Sequence, residues 1–64
     1  MNKELLLEVI EKKGYYKIDR FFLDDTRKIA DELIRDGIEI YDHQVNYNTF
    51  VFTKELFFNT KKLK

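Results

Sequence analysis

The sequence predicts an α+β domain in which two main helices pack on a β-hairpin forming a small antiparallel sheet. Three observations carry that prediction. Leu5, Leu6, Val9 and Ile10, and later Ile29, Ala30, Leu33 and Ile34, repeat one spacing (i, i+1, i+4, i+5), which lays an apolar stripe along each of two helices. The only two glycines, Gly14 and Gly37, fall just past those runs, where a left-handed residue ends a helix. After Gly37 the apolar period drops to two, with Ile38 and Ile40 alternating with Glu39, and Phe50 and Phe52 with Val51 and Thr53.

Taken in order, residues 2–13 read as the first helix, capped by Asn2, with Leu7 off its stripe. Residues 15–23, YYKIDRFFL, fit either a strand or a short helix, because a run this short does not fix its period. Residues 25–36 form the second helix. Asp24 or Asp25 suits its N-terminus as a cap and as a charge on the positive end of the dipole, and Arg35 suits the other end. Residues 38–53 read as the hairpin, with Asn46 and Asn48 supplying turn chemistry. Pairing Ile40 with Phe50 or Phe52 keeps the apolar residues on one face, and Tyr41, His43, Val45 and Val51 then share the other. Residues 54–64 form a basic tail, either a short helix led by Thr53 or a fraying strand, from which Leu56, Phe57 and Leu63 could dock.

Sixty-four residues allow one domain. A chain of about this length buries only about 60% of its unfolded surface and needs an efficient core. With no Cys there is no disulfide, and the ten rings (six Phe, four Tyr) must supply that core instead. Ten rings are more than so small an interior readily hides. Uncharged apolar runs reach only three or four residues, so neither a membrane span nor a signal-peptide core is expected, and a cytoplasmic protein is the default. The bias towards Lys, Asn, Ile, Phe and Tyr is compatible with an AT-rich genome.

Catalytic and metal chemistry lack their parts. Ser and Cys are absent and His43 is the only imidazole, so no activated nucleophile is apparent. The adjacent Asp24 and Asp25 fit a helix start better than an acid–base pair. Glu39, Asp42 and His43 are the only clustered metal-ligand types, and strand alternation turns Asp42 away from the other two. Neither glycine belongs to a phosphate-binding loop. The chain is expected to be non-enzymatic, with no cofactor and no metal.

The order of helix, compact segment, well-capped helix, hairpin and final segment resembles a minimal winged-helix domain, with residues 24–52 carrying most of the likeness. The resemblance implies that residues 25–36 occupy the recognition-helix position and residues 38–53 the wing. It also implies DNA contact through Thr26, Arg27, Lys28, Asp31 and Arg35, to which the tail lysines Lys61, Lys62 and Lys64 would add. Charge opposes that use of the fold. Twelve basic residues balance twelve acidic ones, Asp24 and Asp25 sit on the end that would meet phosphate, and the outer helix face alternates in sign. The wing carries Glu39 and Asp42 and no Lys or Arg.

A protein contact is the leading expectation: an adaptor or inhibitor of a larger protein, of the accessory type common in phages and mobile elements, with a nucleic-acid-processing enzyme among the targets considered. Tyr41, His43, Val45, Tyr47 and Val51 on the outer hairpin face, extended by Tyr15, are the expected contact residues. The alternative is that these rings wrap a small core from two sides. A free sheet edge offers a further dock for a partner or for a homodimer, and a winged-helix DNA-binding regulator is the second functional reading.

Overall fold

Asn2 heads the first helix, α1 (Lys3–Lys13), in extended conformation, and its side chain accepts a hydrogen bond from the Leu5 N–H at 2.9 Å. The structure, a computed structural model, describes residues 1–63 apart from the Lys62 side chain. Because Asn2 satisfies one of the unpaired amides of the first turn, Asn2→Ala is expected to lower stability by about 1 kcal/mol in urea unfolding. An unchanged midpoint would show that the cap contributes nothing. Gly14 closes α1 at φ 91°, its N–H on the Ile10 carbonyl.

The ambiguous segment is both things in turn. Tyr16–Asp19 is a strand, β1, and Arg20–Phe22 is a single 3₁₀ turn that runs straight into the second helix, α2 (Leu23–Arg35). That continuity corrects the expected cap. Phe22 occupies the N-cap position, and Asp24 and Asp25 lie inside the first turn, where they complement the dipole without capping. At the other end the chain finishes as expected. Gly37, at φ 92°, donates its N–H to the Ile34 carbonyl, and the Ile38 N–H reaches back to the Leu33 carbonyl, both at 3.0 Å. This double closure needs a left-handed residue at Gly37 and brings Ile38 back onto the core.

The hairpin is β2 (Tyr41–Asn46) and β3 (Thr49–Thr53), joined through Tyr47 and Asn48, with the Asn46 side chain accepting from the Asn48 N–H. All pairing is antiparallel, and the strand order is β1-β3-β2. The expected register is corrected. Phe50 opposes Gln44 and Phe52 opposes Asp42, so Ile40 precedes the ladder and plugs the core from outside it. The face assignment holds nonetheless, because Ile40, Phe50 and Phe52 keep the same parity. Between Gln44 and Asn46 the register shifts, which leaves Val45 at an irregularity.

The core lies between the helices and one face of the sheet. Leu6 and Ile10 come from α1, Leu23, Ala30 and Leu33 from α2, and Ile18, Phe50 and Phe52 from the strands. The buried stripe of α2 is rotated from the expected one. Thr26 is buried while Ile34 is 48% exposed, and Thr26 tolerates burial because its hydroxyl donates to the Phe22 carbonyl at 2.8 Å. The other face of the sheet is only partly solvated. Val51 and Thr53 are both fully buried there, because the tail folds back across them. Thr53 Oγ1 donates to the Glu55 carbonyl and accepts from the Glu55 N–H, which fixes the turn out of β3. The Phe58 ring then settles 5.9 Å from Tyr15 and 5.7 Å from His43. Beyond it the chain ends in a short 3₁₀ turn, Thr60–Leu63. Phe58, which is not among the expected docking residues, thus docks from the tail and Leu63 is half-buried, whereas Leu56 and Phe57 stay exposed.

Candidate protein-binding surface

The expected contact face is mostly half-buried. Val51 offers no surface at all. His43 is half-buried, and its Nε2 lies 2.9 Å from Thr53 Oγ1 and 3.0 Å from the Glu55 carbonyl. A carbonyl only accepts, so this geometry assigns the imidazole proton to Nε2. Tyr15 is half-buried against Phe58. Tyr41 is half-buried with its hydroxyl donating to Glu39 Oε1 at 3.0 Å, and this bond to a carboxylate holds the phenol above its ordinary pKa. Val45 is half-buried at the strand irregularity. Of the expected residues, Tyr47 alone stands well clear of the protein, at 75% exposure.

Tyr47 has neighbours that the sequence did not single out. The Arg20 N–H donates to the Asn48 carbonyl at 2.6 Å, and Arg20 Nε donates to the Tyr47 carbonyl at 2.9 Å. Its guanidinium carbon lies 4.8 Å from the Tyr47 ring centroid and 5.2 Å from that of Phe50. Arg20 therefore ties the end of β1 to the β2–β3 turn and stacks on the turn's ring, within cation–π range.

The two residues after Arg20 are Phe21, 87% exposed, and Phe22, 51% exposed, with ring centroids 5.1 Å apart in an edge-to-face arrangement. A 3₁₀ turn points successive side chains in well-separated directions, and the inward position belongs to the next residue, Leu23. Phe22 also lines an open cleft of about 700 Å³ beside β1, together with Met1, Tyr16, Ile18, Thr26 and Ile29. The Phe21–Phe22 pair thus follows directly on Arg20, which braces Tyr47, and these three exposed rings make up an aromatic corner.

A second apolar area lies on the far side. Ile34, Ile40, Tyr41 and Leu56 line a groove of about 370 Å³ between α2 and β2, with the Arg27–Asp42 ion pair at 2.7 Å on its rim. Its most exposed apolar member comes from the irregular tail, so it lacks the bracing of the corner.

The helix face implied for DNA contact is broken up. Thr26 is corrected to an interior position, and Arg27 is held by Asp42. Lys28, Asp31, Arg35 and Lys61 are exposed. The Lys62 side chain and Lys64 lie outside the described residues. Among the described residues, no group of three or more His, Cys, Asp or Glu is placed to hold a metal ion, and no helix is long and apolar enough to cross a membrane. Neither a protein-family model nor a curated protein nor a solved structure matches the chain.

Proposed function

We propose that this chain is a non-catalytic binding module, an adaptor or inhibitor of a larger protein, and that Phe21, Phe22 and Tyr47 are its contact surface. One observation carries the reading: Phe21 and Phe22 are exposed directly after Arg20, and Arg20 holds the exposed Tyr47 in place before any partner arrives. Aromatic residues and Arg dominate the energetics of protein interfaces. Holding Tyr47 in place in the free protein removes part of the ordering cost of binding. The net charge of zero and the Arg27–Asp42 pair favour this reading over a DNA-binding regulator.

The test is affinity capture from native lysate, washed at high salt and treated with nuclease, with the native chain beside a Phe21→Ala/Tyr47→Ala variant. Both side chains are exposed, so the variant is expected to keep its fold by circular dichroism. Loss of anchors of this kind costs on the order of 2 kcal/mol, about 30-fold in affinity, which depletes the captured target. Equal capture by both chains, or recovery of nuclease-sensitive material alone, contradicts the reading.

A further inference from the structure

The central strand of the sheet is β3, so β1 and β2 each present an unpaired edge. The Arg20 N–H bonds the Asn48 carbonyl directly opposite. Antiparallel pairs alternate between bonded and non-bonded, so Ile18–Phe50 and Tyr16–Phe52 are bonded pairs, whereas Lys17–Val51 and Asp19–Thr49 are not. The backbone N–H and C=O groups of Lys17 and Asp19 therefore point away from β3, into the open edge. Their side chains are both exposed on the outer face of the sheet, and neither has an ion-pair partner among the described residues. On the helix side the cleft keeps the space beside β1 open.

We propose that β1 pairs with β1 of a second copy of this chain, antiparallel about a two-fold axis between the two Ile18 residues. Outward-pointing backbone groups must meet outward-pointing groups, which restricts the register. One allowed register sets Lys17 against Lys17, and another sets Asp19 against Asp19. The register centred on Ile18 sets Lys17 of each copy against Asp19 of the other, so the symmetry makes the charge match twice. Each of those pairs exchanges both backbone hydrogen bonds. A lone edge lysine discourages such pairing, but Asp19 on the same face makes this edge complementary to itself.

The β2 edge has no equivalent. Its outward backbone groups belong to Asp42 and Gln44; the Asp42 side chain is already paired with Arg27, the Gln44 side chain donates to the Asn46 carbonyl, and the register shifts between Gln44 and Asn46. The self-pairing goes beyond the target-binding reading and does not rest on it, since its readout is the mass of the purified chain with no target present.

Sedimentation equilibrium tests the proposal. The native chain is expected to shift from monomer to dimer between about 10 µM and 1 mM, the weak range a small interface supports. Lys17→Asp and Asp19→Lys each put like charges opposite one another in both pairs, and each is expected to lower the association constant at least about tenfold. An equimolar mixture of the two variants is expected to recover the dimer, because an introduced carboxylate then meets an introduced amine and native Lys17 meets native Asp19. The double variant Lys17→Asp/Asp19→Lys exchanges the charges within one copy and is expected to dimerise like the native chain. A native chain that stays monomeric, single variants that dimerise as it does, or a mixture that fails to pair overturns the proposal.

Discussion

Phe52→Ala is expected to cost about 3–5 kcal/mol and to leave much of the chain unfolded at 25 °C. Phe52 is 1% exposed in the central strand, opposite Tyr16 on one side and Asp42 on the other, and it packs under both helices. Truncation removes a whole ring from the one place where every element meets, and neither neighbouring strand can collapse into the gap without leaving β3. A chain of this size has only about 3–10 kcal/mol of stability in total. Urea unfolding followed by far-UV circular dichroism reads the effect. A midpoint close to that of the native chain would show that the core is not centred on Phe52.

The second large effect separates two adjacent identical residues. Phe58→Ala is expected to cost about 2 kcal/mol, between the value for a fully buried ring and that for a surface substitution. Phe57→Ala is expected to change stability by less than about 0.5 kcal/mol. Phe58 contacts Tyr15 and His43 and covers the face that holds Val51 and Thr53, whereas Phe57 is 86% exposed. Without Phe58 the buried Val51 faces water, and the bonds from His43 to the Thr53–Glu55 turn lose their shelter. The same unfolding experiment distinguishes the two variants. Equal costs, or a larger one for Phe57→Ala, would mean that the tail does not close the outer face in this way.

These variants mark where the sequence is legible and where it is not. Gly14 and Gly37 announce their helix ends because a left-handed backbone is needed at each and no other residue type supplies it cheaply. The parity of Ile40, Phe50 and Phe52 gives the correct core face, because alternation is a property of the extended chain before any partner is chosen. Register is another matter. Ile38 and Ile40 continue the alternation through a segment that is not yet paired, so periodicity alone cannot say where the ladder begins. Alternation likewise shows apolar residues on both faces of β3, yet it does not reveal what covers the second face. The cover comes from one member of the Phe57–Phe58 doublet, and their composition is identical.

The proposed contact surface is half visible for the same reason. Tyr47 lies beside two Asn residues in a turn, a position that exposes its ring. Phe21 and Phe22 look like core residues in any periodic reading. Only the 3₁₀ turn, which hands the inward position to Leu23, turns them out. Arg20 carried no signal, since its role depends on the approach of the β2–β3 turn to the end of β1.

Amide chemical-shift mapping of the labelled chain on addition of its captured target tests the account most directly. The largest perturbations are expected at Arg20–Phe22 and at Tyr47 and Asn48, with Tyr41–Val45 and the tail little changed. Perturbations concentrated at Tyr41–Val45 and Phe58, with the aromatic corner unmoved, would contradict it and return the contact surface to the outer face of the sheet.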